Sequence, residues 1–363
     1  MSNSTTPAPA SALPFTFGGF TIPAGCRRIF ITAELEPSNG DPRIQPTGFP
    51  DIGPVLYPDP EPDTEKNNGL ICLIESEPSM ANRLEDVCFS NKYEGTLKDA
   101  FAGLPYLRVE QNGQLRTCST LDGHRFASDF LAKCRANFGN GDQTLADHIK
   151  STLGMAGDGK TMPIANVPNV FSLVLGLDSM SLIHGFQISN EQISFVGLRL
   201  PRALSASIIG LGCERISVPG IKFNVGQVES ESGQAIFQKR RITAKKIEAR
   251  FSIDVGLLTS LRLDTPGPNG SPGQFQAARA QLLLAIALWK VATFLDLLRV
   301  ELSLRTECKL RIKNGTKPVA KTEGATTTEL DFPVSSITGA ALTGEITAAH
   351  LPANRSPLTL QFA

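Results

Sequence analysis

Residues 70–88 read LICLIESEPSMANRLEDVC. The apolar run Leu70 to Ile74 has the length and content of a buried strand and ends at Glu75-Ser76. Ser76 stands where a helix N-cap is expected, Glu77 suits the positive end of a helix dipole, and Pro78 fits the first turn. Met80, Leu84 and Val87 then share one helical face, whereas Ser79, Asn82 and Asp86 face away from it and Arg83 lies at the border. The stretch therefore predicts a strand that delivers a helix with one buried face and one polar face.

The same patterning extends in both directions. Residues 26–36 alternate Ile29, Ile31, Ala33 and Leu35, as a half-buried strand does. Residues 37–69 are rich in proline and carry the acidic tract DPEPDTE, so they are expected to form a surface loop insertion. Residues 96–165 are expected to be a mainly helical insertion, with helices near 125–138 and 143–153. Residues 170–187 predict a buried helix, 192–200 and 204–209 predict strands, and 233–255 predicts two strands around a basic connection. After the turn GPNGSPG (267–273) a long helix is expected over 274–299. Residues 302–313 alternate Leu302, Leu304, Thr306, Cys308, Leu310 and Ile312 with charged and polar residues, which predicts one strand with a basic open face. The order strand, helix, strands, helix, strand points to an α+β fold, a ferredoxin-like βαββαβ core with insertions. Residues 1–25 are expected to be a disordered N-terminal tail, 26–313 the main domain and 314–363 a C-terminal extension.

Composition narrows the function classes. The chain has 363 residues, zero formal net charge and 7% aromatic residues. No run reaches the roughly 18 apolar residues of a membrane span, and the N-terminus lacks the basic start of a secretory signal. Seven scattered cysteines without a C-x-x-C spacing predict reduced thiols, a cytoplasmic setting and no zinc site. The zero charge conceals uneven halves: 34–94 holds 13 acidic and 4 basic residues, 199–250 holds 10 basic and 4 acidic, and 299–321 holds 7 basic and 2 acidic. Such a dipolar chain suits phosphate binding by one half or head-to-tail assembly.

Few motifs suggest catalysis. Gly154 to Thr161 fits the G-x-x-x-x-G-K-T phosphate loop, with Lys160 as its lysine. The polar DHIKSTL before it and Pro163 and Pro168 after it are wrong for the strand and helix such a loop requires. Asp178, Ser179 and His184 can be drawn as a triad, but no G-x-S-x-G turn presents the serine. The four histidines share no metal-ligand spacing, so neither a metal nor another cofactor is expected. The basic cluster Lys239, Arg240 and Arg241, beside Gln234, and the pair Arg199 and Arg202 are better candidates, as phosphate contacts.

The blocks QPTGFPDIGP (45–54), LICLIESEPSMANRLE (70–85), LDSMSLIHG (177–185), LPRALSA (200–206) and ESGQAIF (231–237) occur in that order. Together they resemble the backbone subunit of the type I-G (formerly I-U) CRISPR Cascade complex, in the RAMP superfamily, over about residues 27–313. The resemblance implies a modified RNA-recognition fold, with palm and thumb-like insertions, that polymerises along CRISPR guide RNA. It implies copies of the same chain as head-to-tail neighbours, other Cascade subunits and a helicase-nuclease as partners, and target DNA met through the guide. It implies no cutting by this subunit, although relatives cleave RNA with a loop aspartate. Carried over by position, the RNA-facing residues are Ser79, Asn82, Arg83, Arg202, Ser205 and Gln234, with Lys239, Arg240 and Arg241 adjacent.

Overall fold

The computed structural model describes residues 11–49, 53–60, 69–139, 141–155, 162–188, 198–216, 241–265, 273–305, 308–324, 326–351 and 356–362. Its main sheet is built from β1 (Arg28–Pro37), β2 (Leu70–Glu75), β3 (Leu204–Leu211), β4 (Lys246–Asp254), β5 (Leu302–Arg305), β6 (Cys308–Ile312), β7 (Val319–Glu323) and β8 (Thr328–Asp331). The order runs β5-β6-β1-β4-β3-β2, with the β7–β8 hairpin also on β1 and the short strand Leu56–Pro58 beyond β2. Helix α1 is Glu77–Asp86, α2 is Gln276–Val300 and α3 is Gly339–Ala348.

This is the expected α+β architecture, with β1, α1, β3, β4, α2 and β6 as the βαββαβ core. β4 lies antiparallel between β1 and β3 over eight residues on each side. β2 is an additional strand on the β3 edge. It enters the sheet immediately before α1, and its register against β3 shifts at Ile208/Ile209.

The two-residue periodicity decides what lies beneath the helices. Ile29, Ile31, Ala33 and Leu35 of β1, Ile247, Ala249, Phe251 and Ile253 of β4, and Leu204, Ala206 and Ile208 of β3 are all buried. α2 is buried on nearly every side because the sheet lies against one flank and α3 packs on it as well. Phe251 meets Phe294 of α2 edge-on, with centroids 6.0 Å apart. α2 is long and apolar enough to cross a membrane, and 78% of that window is buried inside the fold. Each buried leucine along it contributes about 1.5–3 kcal/mol.

Several sequence expectations change. Residues 11–25 are not a tail: Phe15–Phe17 and Phe20–Ile22 form a hairpin whose Phe15, Phe17, Phe20 and Ile22 join the core. The FTFGGFTI alternation carried that signal; residues 1–10 lie outside the described residues. The 37–69 loop is partly built in. Ile44 is buried and bridges Ile242, and Gly48–Phe49 pairs with Gly53–Pro54. The 96–165 insertion holds as much strand as helix. Leu107–Gln111, Gln114–Cys118, Arg135–Asn137 and Asp142–Thr144 form a second sheet, completed by Leu358–Gln361 from the C-terminal segment. Residues 125–138 divide into a 3-10 turn, a short helix and a strand rather than one helix. Residues 170–187 break after Leu177 into two short buried helices and the strand Phe186–Gln187. Residues 302–313 fold back as the β5–β6 hairpin instead of one strand. The C-terminal segment is integral: β7 pairs along Arg28–Thr32 of β1 and α3 packs on α2.

Gly185 joins two separated stretches. Its φ is +77°, and a Cβ there would lie 2.6 Å from the Leu200 carbonyl oxygen and 2.9 Å from the Arg202 amide nitrogen. Both the dihedral and the contact with backbone exclude a side chain. Gly185→Ala is expected to destabilise the fold by about 2 kcal/mol or more. A lower urea midpoint at an unchanged slope is the expected result, and an unchanged midpoint would contradict this account.

Candidate functional site

α1 begins as its sequence predicts, with Ser76 extended at the N-cap and Pro78 in the first turn, but the Ser76 hydroxyl makes no capping bond. Met80, Ala81, Leu84 and Glu85 are buried, Asn82 is exposed, and Ser79 and Arg83 are half-buried. Arg83 turns back along the helix and bonds Glu75 Oε2 at 3.4 Å and the Ser303 carbonyl at 3.5 Å. Glu75 is buried, so Arg83 braces the start of the helix against the end of β2 and the β5–β6 hairpin.

Behind α1 lies a buried polar junction. Arg125 holds the Glu85 carboxylate with two bonds, of 2.8 and 3.1 Å, and its third nitrogen donates to the Gly185 carbonyl at 3.4 Å. Arg125 adopts φ +55°, a conformation a non-glycine residue holds only when its surroundings fix it. Lys290 of α2, fully buried, lies 2.7 Å from His184 Nε2. Burial, then the nearby Lys290 and Arg125 charges, hold His184 well below its ordinary pKa. The ring is therefore neutral, with Nε2 accepting from the Lys290 ammonium and the proton on Nδ1. Asp178 takes a bond from the Ser181 hydroxyl at 2.5 Å, and burial raises its carboxyl. Burial likewise raises Glu85, despite Arg125 beside it. Among the described residues, His184 Nδ1 and Asp178 Oδ1 have no partner.

This junction brings together blocks that are far apart in the chain. Glu85 comes from LICLIESEPSMANRLE, Asp178 to Gly185 from LDSMSLIHG, and the Leu200 to Arg202 backbone from LPRALSA. It is no hydrolytic triad: the Ser179 hydroxyl donates to the Leu175 carbonyl, and Asp178, Ser179 and His184 are all buried. The phosphate-loop pattern lacks its context too. Helix Leu145–Thr152 precedes it and a 3-10 turn, Ile164–Asn166, follows, while residues 156–161 lie outside the described residues. Among the described residues no group of three or more His, Cys, Asp or Glu side chains is placed to hold a metal.

The remaining candidates spread over two sides of the sheet. Arg199 and Arg202 are exposed and make no ion pair with another described residue. Arg202 lies close enough to act on His184. Ser205 projects from the face of β3 opposite its buried Leu204 and Ala206, in a cross-strand row with Ser252 and Phe30. The next row holds Ser207, Arg250 and Thr32. Small hydroxyls, Phe30 and Arg250 thus occupy these rows of the face turned away from α1, and Ser205 does not share a surface with Asn82. Sequence reading had not singled out Arg250, although the alternation of β4 places it there. Arg241 lies beside the short strand Ile242–Thr243, which pairs with Glu214–Arg215, and it acts on Asp41. Gln234, Lys239 and Arg240 lie outside the described residues.

Among the described residues the expected charge separation is partly cancelled within the fold. Lys313 meets Glu34 at 2.5 Å, Arg311 meets Glu36 at 2.9 Å and Lys309 meets Glu301 at 2.7 Å. Lys246 and Arg250 both hold Glu248, and although burial opposes it, their hydrogen bonds keep its carboxyl below the usual range. The basic face expected of 302–313 is therefore not a free phosphate surface, which leaves Arg199 and Arg202 as the better candidates for one.

A protein-family model described as CRISPR-associated protein GSU0053 matches residues 29–215, slightly more than half of the chain. No curated protein matches the chain.

Two predictions follow from the junction. Arg125→Met leaves Glu85 buried without its cation and is expected to cost about 3–5 kcal/mol, whereas Arg125→Met combined with Glu85→Leu recovers much of the loss. Purely additive losses in a chemical-denaturation cycle would refute the pairing. His184 has a lowered pKa in the fold, so on acidification the unfolded chain takes up the proton first. Stability should then fall below about pH 6.5, by at most ~1.4 kcal/mol per pH unit from this group. His184→Gln should remove that part of the slope; identical pH profiles would show that the ring is not buried neutral.

Proposed function

The chain belongs to the CRISPR-associated protein GSU0053 family, and on that premise we propose that it is a non-catalytic backbone subunit that binds guide RNA in a type I-G Cascade complex. On this reading, copies associate head to tail along the RNA and present its bases to target DNA, alongside other Cascade subunits and a helicase-nuclease. The family match over β1, β2, α1 and β3 is the observation that carries the reading.

Other features support it. The βαββαβ order is that of RNA-recognition folds. α1 turns Asn82 outward while Arg83, Glu75, Glu85 and Arg125 fix it from behind, so a polar contact there is held rigidly. Arg199 and Arg202 are exposed and make no ion pair with another described residue. Low aromatic content and the absence of an RNA-recognition aromatic run favour contact with the phosphate-sugar backbone over base stacking. Lys239, Arg240 and Arg241 are proposed as further backbone contacts.

The test is RNA binding over a series of salt concentrations. Replacing Arg199 and Arg202 together by glutamate should weaken binding at least about tenfold, equally for unrelated sequences, and lower the salt slope by about 2. The Lys239/Arg240/Arg241 reversal should lower it further. Unchanged slopes would sink the assignment of these residues. Purification without an accompanying RNA of guide length would count against the subunit role, and metal-dependent RNA cleavage by the isolated chain would overturn its non-catalytic part.

A further inference from the structure

Residues 210–213, Gly-Leu-Gly-Cys, end β3 in a way that packing alone does not require. Gly210 pairs with Cys72 of β2. Gly212, at φ +59°, then turns the chain, and the Cys213 amide donates to the Leu70 carbonyl at 2.9 Å. The turn folds Cys213 back over Gly210. A Cβ on Gly210 would lie only 2.8 Å from Cys213 Sγ, so the missing side chain makes the space that the sulfur occupies. Cys213 Sγ thus sits over the residue that faces Cys72 across the strand pair, which makes the two thiols neighbours that act on each other. Both residues are buried, at 3% and 0% exposure.

The contact makes the two sulfurs unequal. Interaction with Cys72 lowers the Cys213 thiol, whereas Cys213 and then burial raise that of Cys72. Cys213 therefore reaches the thiolate first and is the attacking sulfur, with Cys72 placed to resolve. Closing the pair brings the neighbouring sulfurs to a bond of about 2 Å, within one strand pairing.

We propose that Cys72 and Cys213 are a reversible redox pair, closed by a low-molecular-weight disulfide and reopened by a dithiol. The Cys213 thiolate attacks the small disulfide, forming a mixed disulfide and releasing one thiolate. The Cys72 thiol gives up its proton, and its sulfur attacks Cys213 Sγ and releases the second thiolate. Two protein thiols are oxidised, one small disulfide is reduced to two thiols, and atoms and electrons balance. Because the sulfurs are buried, exchange proceeds through local opening at the end of β3. The bond would tie β2 to Glu214–Arg215, the strand that pairs with Ile242–Thr243 and flanks Arg241. This inference stands apart from the RNA reading.

The test exposes the full chain to oxidised glutathione, alkylates the free thiols in denaturant and maps peptides by mass spectrometry. A Cys72–Cys213 cross-linked peptide that dithiothreitol removes is expected, together with an exchange rate of the Cys213 amide slowed about tenfold after oxidation. Cys72→Ala should accumulate glutathione on Cys213, whereas Cys213→Ala should leave Cys72 unmodified. Both thiols recovered alkylated, a mixed disulfide on wild-type Cys213 that never resolves, or a different cross-link would each overturn the proposal. The wild-type experiment decides if a variant fails to fold.

Discussion

The fold depends on one strand, Arg28–Pro37. Its ten residues alternate cleanly, and each side serves a separate purpose. One edge is taken along its length by β4, which joins it to β3 and so to the rest of the sheet. The other edge is divided: β7 takes Arg28 to Thr32, and β6 takes Leu35 to Pro37. Because two hairpins share that edge, the last part of the chain is bound to the first. The same C-terminal segment also gives α3 to α2 and Leu358–Gln361 to the second sheet. A register slip of one residue in β1 would turn Ile29, Ile31, Ala33 and Leu35 out of the core and disturb every one of these contacts.

The electrostatics follow from the same pairing. Charge counted along the sequence separates an acidic first third from basic later segments. In the folded chain Glu34 and Glu36 of β1 stand beside Lys313 and Arg311, because β6 is the antiparallel neighbour of β1. Each such half-exposed pair adds little to stability. Their greater effect is on what remains for a ligand: a cation already facing a carboxylate adds less to phosphate attraction than a free one. Arg199 and Arg202 face no carboxylate among the described residues, unlike the denser run at 309–313.

The sequence was legible where a period persisted and illegible where a contact crossed long distances. The strand at 28–37, the strand-to-helix passage at 70–86 and the long helix at 276–300 were readable because alternation or helical spacing ran through them. The N-terminal hairpin was missed although FTFGGFTI alternates, because a tail rich in serine, threonine and alanine precedes it. The β5–β6 hairpin was missed because its two strands continue one alternation across the turn, and periodicity alone does not locate a reversal. The second sheet was hidden because its strands come from three separated stretches. At the candidate site, the exposure of Asn82 and the border position of Arg83 followed from helical geometry. The Arg125–Glu85 bond did not, since forty residues separate the partners.

That bond also changes what the sequence blocks mean. LDSMSLIHG invited a catalytic reading because it lists Asp, Ser and His within a few residues. In the fold those groups are buried and spend their hydrogen bonds on one another, on Lys290 and on backbone, where neither water nor substrate reaches. Glu85 pairs with the buried Arg125 and the neutral His184 accepts from the buried Lys290, cations that would otherwise be very costly to desolvate. What the junction achieves is mechanical: it fixes α1, the turn at Gly185 and the entry to β3 relative to one another. A surface that recognises a polymer by its backbone needs such fixed spacing more than it needs reactive groups, because each contact is weak and only a rigid register lets several act together.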